Sequence, residues 1–145
     1  MKIDFIADTN FLIYLHEGNK IIEPFLEYNF GVSFISELEL LGFPGITISD
    51  ETKLKSLLND CFQIDWNNRI KEQTILLKRK YSIKIPDAII AASGLVYEIP
   101  LVTADKGFTK IEELDLETSF FNSSVPIFKS FGFSSKVVST VFVIF

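Results

Sequence analysis

Short apolar runs alternate with amphipathic stretches along this chain of 145 residues, which predicts alternating strands and helices. Strands are predicted at residues 2–7, 31–35, 62–65 and 100–103, with a candidate fifth at 114–117. Helices are predicted between them, at residues 11–16, 20–28, 36–41, 49–58, 68–81 and 86–95. This alternation calls for a mostly parallel sheet of four to five strands with helices on both faces.

Local signals set the expected helix boundaries. Ser36 is predicted to cap a short helix, Asn67 or Asn68 to cap the long one, and Pro86 to occupy the first position of the next. That last helix is apolar nearly all round, so other elements should cover it. The long helix before it is expected to have this inner face: Ile70, Ile75, Leu76 and Leu77.

Four widely separated acidic residues lie at the ends of these elements: Asp8, Glu39, Asp87 and Asp105. In open parallel sheets, the functional crevice lies outside the carboxyl ends of the strands. Carboxylates gathered there repel one another and raise each other's pKa unless a cation intervenes. The pattern therefore predicts one cleft with hard oxygen ligands for Mg²⁺ or Mn²⁺, a site type used in phosphodiester chemistry.

Neighbouring polar residues have both structural and functional interpretations. Asn10 is expected to hydrogen-bond a carboxylate or to satisfy its own turn, and Thr103 to hold a carboxylate or phosphate oxygen. Glu37 competes with Glu39, but residues two apart on a helix point about 200° apart, so only one of them faces the cleft. The neighbouring leucines favour Glu39.

Other chemistry-bearing residues are predicted to be structural. The single histidine, His16, lies at a helix end where the dipole favours it. Trp66 and Phe108 are expected to pack in the core rather than stack on bases. The basic stretch 78–80 is interpreted as a solvated helix end in preference to a substrate track.

Composition narrows the classes further. The net charge of −5 disfavours a tight, sequence-indifferent nucleic-acid binder, although a divalent ion would offset part of it. One free thiol, Cys61, and the lack of a signal-like apolar segment predict a cytoplasmic protein. No apolar stretch reaches the ~18 residues of a membrane span.

Residues 119–145 differ from the rest, since they are rich in phenylalanine and contain no acid. They are predicted to be an extra edge strand, a swapped segment or disordered.

Four segments, taken in order, resemble the PIN domain family, in particular the VapC-like toxins. They begin at Asp8-Thr9-Asn10, Ser33-Phe34-Ile35, Pro86-Asp87-Ala88 and Leu101-Val102-Thr103, and span residues 3 to about 117. The resemblance implies a three-layer α/β/α fold over residues 1–118 and a Mg²⁺- or Mn²⁺-dependent ribonuclease. It also implies a homodimer and a cognate antitoxin. Many relatives have an acid at the position of Gly107, which puts a second metal in doubt.

The sequence therefore predicts metal-assisted RNA hydrolysis, with Asp8, Asp87 and Asp105 as ligands of one ion and Glu39 shared or binding a second. Two alternatives remain. A receiver-type phosphoacceptor would use Asp8, Asp65, Thr103 and Lys106. A non-catalytic interaction protein on the same scaffold would have lost this chemistry, which the intact set of acids argues against.

Overall fold

The computed structural model describes residues 2–117, so the predictions for residues 119–145 fall outside the described part of the chain. Five strands form one sheet in the order β3-β2-β1-β4-β5, and every neighbouring pair is parallel. The strands are β1 (Phe5–Ala7), β2 (Phe30–Ser33), β3 (Phe62–Ile64), β4 (Leu101–Val102) and β5 (Leu116–Glu117).

Five α-helices and two short 3₁₀ helices connect these strands within the described residues. The α-helices are α1 (Thr9–Glu17), α2 (Phe34–Leu41), α3 (Ile48–Asn59), α4 (Asn68–Lys80) and α5 (Ile85–Tyr97). The 3₁₀ helices are Lys20–Phe25 and Lys106–Lys110. The predicted helix over 20–28 is thus a shorter 3₁₀ segment containing Pro24, which cannot donate a backbone hydrogen bond.

The strands bury both faces of the sheet. Ile6 packs with α4 and α5 on one face, whereas the next residue, Ala7, packs with α1 and α3 on the other. Leu101 and Val102 divide between the two faces in the same way. Successive side chains of a strand point to opposite faces, so each strand contributes to two apolar cores. The predicted three-layer α/β/α sandwich with a parallel sheet is confirmed.

The strand order places a crevice beside β1. The chain proceeds from β1 to β2 and β3 in one direction, and then adds β4 and β5 on the other side of β1. Open α/β sheets bind ligands at such a switch point, outside the carboxyl ends of the strands. Asp8 follows β1, and Thr103 follows β4, so both lie at this edge.

The boundary between β2 and α2 differs from the prediction. Phe34 and Ile35 belong to the helix, and Ser33, rather than Ser36, is its N-cap, since its side chain accepts a hydrogen bond from the Ile35 amide. The apolar run conceals this boundary because it continues without a break from strand into helix. Ser36 is instead a fully buried residue of the first helical turn.

Helix α4 uses a narrower apolar stripe than predicted. Ile70, Thr74 and Leu77 are buried, four and then three residues apart, whereas Ile75 and Leu76 are 40% and 54% exposed. Thr74 tolerates burial because its hydroxyl donates to the Ile70 carbonyl at 2.7 Å. The assignment of Ile75 and Leu76 to the inner face was therefore wrong.

Two further core assignments had opposite outcomes. Trp66 is 45% exposed, and its ring packs edge-on against Phe34 at 5.7 Å, so its assignment to the core was wrong. Phe108 is 2% exposed, which confirms it as a core residue.

Helix α5 is covered as predicted, since residues 88–94 are all buried. Pro86 is its second residue rather than its first, because the helix begins at Ile85. The close-packed helix fixes the position of its own N-terminal turn, which carries Asp87. Among the described residues, no helix combines the length and apolar character needed to cross a membrane.

Candidate active site

Asp8 is the most buried of the four acids, with 2% of its surface exposed. It caps α1, and its Oδ1 accepts a hydrogen bond from the Phe11 amide at 2.7 Å. Its Oδ2 accepts one from the Thr103 hydroxyl. Burial raises the pKa of Asp8 from 3.8 to about 7; the two hydrogen bonds oppose this shift, while Asp105 and Asp87 add to it.

Thr103 links Asp8 to Asp105 across the ends of β1 and β4. The hydroxyl of this fully buried residue donates to Asp8 and accepts from the Asp105 amide at 2.9 Å. The Asp105 carboxylate in turn accepts from the Gly107 amide at 2.7 Å and caps the second 3₁₀ helix. The predicted carboxylate-holding role of Thr103 is seen in this geometry.

Gly107 has a conformational consequence for the neighbouring acid. A Cβ at this position would lie 3.0 Å from Asp105 Oδ1, which is tight. Glycine therefore lets the 3₁₀ turn close against the Asp105 carboxylate.

Glu39 enters the site from α2, and one of its oxygens lacks a partner. Thr9 Oγ1 lies 2.5 Å from Glu39 Oε2 and 3.0 Å from Ser36 Oγ. A hydroxyl has one proton, and an ionised carboxylate only accepts, so Thr9 donates to Glu39 and accepts from Ser36. Glu39 Oε1 is buried without a hydrogen-bond partner among the described residues. Burial raises the pKa of Glu39 from 4.5 to about 7, against the Thr9 hydrogen bond and with contributions from Asp87 and Asp8.

Asp87 is the third residue of α5 and is half-buried. Burial raises its pKa from 3.8 to about 6, and Asp105 adds to the increase, whereas Lys84 and Lys110 oppose it. Asp87 and Asp105 line a cleft of about 200 Å³, which the two lysines also line. The cleft therefore contains both signs of charge.

The four predicted acids lie together in space. Asp8 responds electrostatically to Asp105 and Asp87, Asp87 responds to Asp105, and Glu39 responds to both Asp87 and Asp8. Burial is the larger cause of each increase in pKa, and the electrostatic contributions show that the carboxyl groups lie within range of one another. The structure thus brings together residues separated by up to 97 positions in the chain.

The carboxylates are spread around the site and do not form a closed metal-binding arrangement. In residues 2–117, no group of three or more acidic, histidine or cysteine side chains is placed closely enough to hold a metal ion. Like charges repel in the absence of a cation, so a loose arrangement is expected without one. The donor set still fits a hard divalent cation, because it consists of carboxylate oxygens and includes the unpartnered Oε1 of Glu39.

Thr9 is the site residue that the sequence interpretation missed. It lies within the Asp8-Thr9-Asn10 triplet, where a capping role is sufficient explanation for a polar side chain. Its contacts to Ser36 and Glu39 span 27 and 30 positions, so no local pattern indicates them. Asn10 is half-buried, and its side chain makes no hydrogen bond to another described residue. Its proposed role stays a prediction.

We expect Thr9→Val to move the pKa of Glu39 further upward, because the Thr9 hydrogen bond lowers it. The substitution keeps the shape of the side chain but removes the donor, which should also cost about 1 kcal/mol of the free energy of unfolding at pH 8. Side-chain carboxyl NMR of the metal-free protein measures the titration. Thr9→Ser retains the hydroxyl and should titrate like wild type. Equal titration of Glu39 in all three proteins would show that the contact has no energetic role.

The receiver alternative finds no support in the strand order. Asp65 follows β3, which is an edge strand separated from β1 by β2. Two strand spacings put this residue about 10 Å from the end of β1. It is exposed, whereas a phosphoacceptor of that type must lie beside the acid of the first strand. His16 is also remote, since its Nε2 lies 3.3 Å from Asp50 Oδ1 at the far end of α1.

Comparison with known proteins agrees with this geometry. The PIN domain family model matches residues 5–114, which include all four acids. A chain of a toxin–antitoxin complex from Klebsiella pneumoniae is 28% identical, with a TM-score of 0.67, over 79% of this chain and 96% of that one. No curated protein matches.

Two further structures share the fold. A chain of DNA-bound VapBC from Salmonella typhimurium has a TM-score of 0.69 at 20% identity, over 81% of this chain and 98% of that one. A chain of VapBC2 from Rickettsia felis, bound to a promoter DNA fragment, has a TM-score of 0.65 at 23% identity, over 79% of this chain and 97% of that one. The chain therefore belongs to the PIN domain family.

Proposed function

We propose that the chain is a divalent-metal-dependent endoribonuclease and the toxin of a toxin–antitoxin pair. The observation that carries the proposal is the electrostatic interaction among Asp8, Glu39, Asp87 and Asp105, with raised pKa values in the first three. The family match over residues 5–114 supports nuclease chemistry. The Klebsiella pneumoniae relative, described as a toxin–antitoxin complex, supports the toxin assignment.

Asp8, Asp87 and Asp105 are the residues that would hold Mg²⁺ or Mn²⁺, with Glu39 shared or binding a second ion. Such an ion, when bound, supplies Lewis-acid stabilisation of the phosphoryl group and makes water a stronger nucleophile. The hydrogen bonds from Phe11 and Thr103 fix the Asp8 carboxylate, so its oxygens need no rearrangement. Thr103 and the Gly107 amide fix Asp105 in the same way.

Glu39 is proposed to orient the attacking water and take its proton. Thr9 donates to one carboxylate oxygen, and the other, Oε1, has no hydrogen-bond donor among the described residues. Attack on phosphorus in line with the leaving 3′-oxygen gives products with 5′-phosphate and 3′-hydroxyl ends.

A protein antitoxin is the proposed partner, because an active ribonuclease in the cytoplasm must be restrained. The Salmonella typhimurium and Rickettsia felis structures are VapBC assemblies, which supports a partner of that kind. A homodimer is proposed on the same family grounds. Co-purification with the product of a small neighbouring gene, followed by measurement of the mass of the assembly, tests both points.

The purified full chain should cut single-stranded RNA in Mn²⁺ and lose cleavage in excess EDTA. Total RNA is the substrate, and both ends of the fragments are mapped. Restored cleavage on adding Mn²⁺ back, together with 5′-phosphate ends, supports the proposal. Cleavage that persists in EDTA, or fragments with 2′,3′-cyclic phosphate ends, would contradict it, because both results indicate metal-independent chemistry.

A further inference from the structure

Two lysines border the cleft that contains Asp87 and Asp105. Lys84 immediately precedes α5, and Lys110 ends the second 3₁₀ helix; both line the cleft and both are exposed. Asp87 and Asp105 line the same cleft, so the two ammonium groups lie near both carboxylates. The group of acids therefore has a cationic rim on the side of the α5 N-terminus.

The ammonium groups of this rim are available to a ligand. Among the described residues, the Lys84 ammonium group forms no hydrogen bond and no ion pair, not even with nearby Asp87. Lys110 donates one hydrogen bond to the Ser82 carbonyl at 2.6 Å, which leaves two further donors. Lys80, by contrast, is paired with Glu113. A nearby acid thus forms an ion pair with Lys80, on α4, but not with Lys84, beside the cleft.

The charge of the chain makes such a rim significant. The net charge is −5, and four carboxyl groups line the site, so a polyanionic strand approaching the cleft is repelled by most of the surface. Lysines contribute to nucleic-acid binding by neutralising backbone phosphates and releasing counterions, independently of base sequence. Lys84 and Lys110 supply positive charge beside the site that can neutralise backbone phosphates there.

We propose that Lys84 and Lys110 bind the backbone phosphates next to the scissile one, so that an RNA strand crosses the site past the start of α5. This inference rests on the proposed ribonuclease function and specifies which wall of the cleft the strand follows. Lys110 also joins the Ser82 loop to the 3₁₀ helix, so its replacement would disturb structure as well as binding. Lys84 has no such contact and provides the cleaner test.

Lys84→Gln should raise the KM for single-stranded RNA about fivefold at low salt and leave kcat within about twofold of wild type. The slope of log kcat/KM against log salt concentration should become shallower by about 0.7, the value for one phosphate contact on a single strand. Lys84→Arg retains the charge and should keep most of the affinity. Lys53→Gln removes an exposed lysine of α3, remote from the cleft, and should match wild type.

The outcomes separate this inference from the function on which it rests. If wild type cleaves RNA but Lys84→Gln matches Lys53→Gln in KM and salt slope, the proposed phosphate contacts are wrong, and the proposed ribonuclease function is unaffected. A decrease in kcat without an increase in KM would also contradict the proposed phosphate contacts. If wild type cleaves no RNA, the same proteins are compared for binding to a mixed-sequence single-stranded RNA by fluorescence anisotropy in EDTA. In that case, weaker RNA binding by Lys84→Gln supports the proposed phosphate contacts, and unchanged RNA binding contradicts them.

Discussion

Replacing Asp8 with asparagine should reduce RNA cleavage about a thousandfold or more at saturating Mn²⁺. The substitution removes the negative charge of the most buried acid in the site while keeping nearly the same shape. Asparagine is as good an N-cap as aspartate, so the hydrogen bond from the Phe11 amide and the start of α1 should persist. The loss is therefore expected in kcat, with circular dichroism and the unfolding transition preserved.

Asp65→Asn is the matched control for this substitution. Asp65 is an exposed aspartate at the carboxyl end of a strand, on the edge of the same sheet. Its replacement should leave cleavage within about twofold of wild type. Comparable activity in wild type and Asp8→Asn would contradict the assignment of Asp8, and loss of activity in Asp65→Asn alone would assign a role in cleavage to Asp65 instead.

The second large effect is a pH-dependent loss of stability in the metal-free protein. Burial raises the pKa of Asp8 from 3.8 to about 7, and the pKa of Asp87 from 3.8 to about 6. Between these values the folded state binds more protons than the unfolded state, so the free energy of unfolding falls as pH rises. The stabilisation is complete below about pH 4 and lost above about pH 7. For Asp8 alone, the shift corresponds to on the order of 4 kcal/mol.

Urea unfolding at pH 5 and pH 8, in EDTA and in Mn²⁺, measures this effect. Wild type in EDTA should be less stable at pH 8 than at pH 5 by several kcal/mol, and Mn²⁺ should reverse most of the loss because it binds only the folded carboxylate set. Asp8→Asn lacks the titrating group, so its stability should depend less on pH and should exceed that of wild type at pH 8 in EDTA. The variant comparison isolates Asp8 from other titrating acids.

Equal stability of wild type and Asp8→Asn at pH 8 in EDTA would contradict the claim that the ionised carboxylate is held at a cost. It would mean that the Thr103 and Phe11 hydrogen bonds fully compensate for burial. A loss of stability when the acids ionise is the expected consequence of burying carboxyl groups for catalysis.

Much of the fold could be predicted from the sequence, because each strand is buried on both faces and reads as a short apolar run. Ile6 and Ala7, at the end of such a run, put Asp8 at the carboxyl edge without further information. The strand order was not predictable from these runs. It depends on how β4 returns to the far side of β1, and that placement is what brings Asp105 beside Asp8.

The errors have a common physical cause, since apolar character does not reveal which face of an element is covered. Leu76 and Trp66 are apolar but remain 54% and 45% exposed, because the described elements cover them only in part. Thr74 is polar but buried, because its hydroxyl is satisfied within its own helix. In the site, the acids were predictable as a set, whereas Thr9 was not, because its partner Glu39 lies 30 positions away.

Diffraction from crystals grown with Mn²⁺ tests most directly whether these carboxylates share one cation. We expect an anomalous peak about 2–2.5 Å from carboxylate oxygens of Asp8, Asp87 and Asp105, with Glu39 beside it. Manganese bound elsewhere at saturating concentration, with these four side chains directed apart, would contradict it.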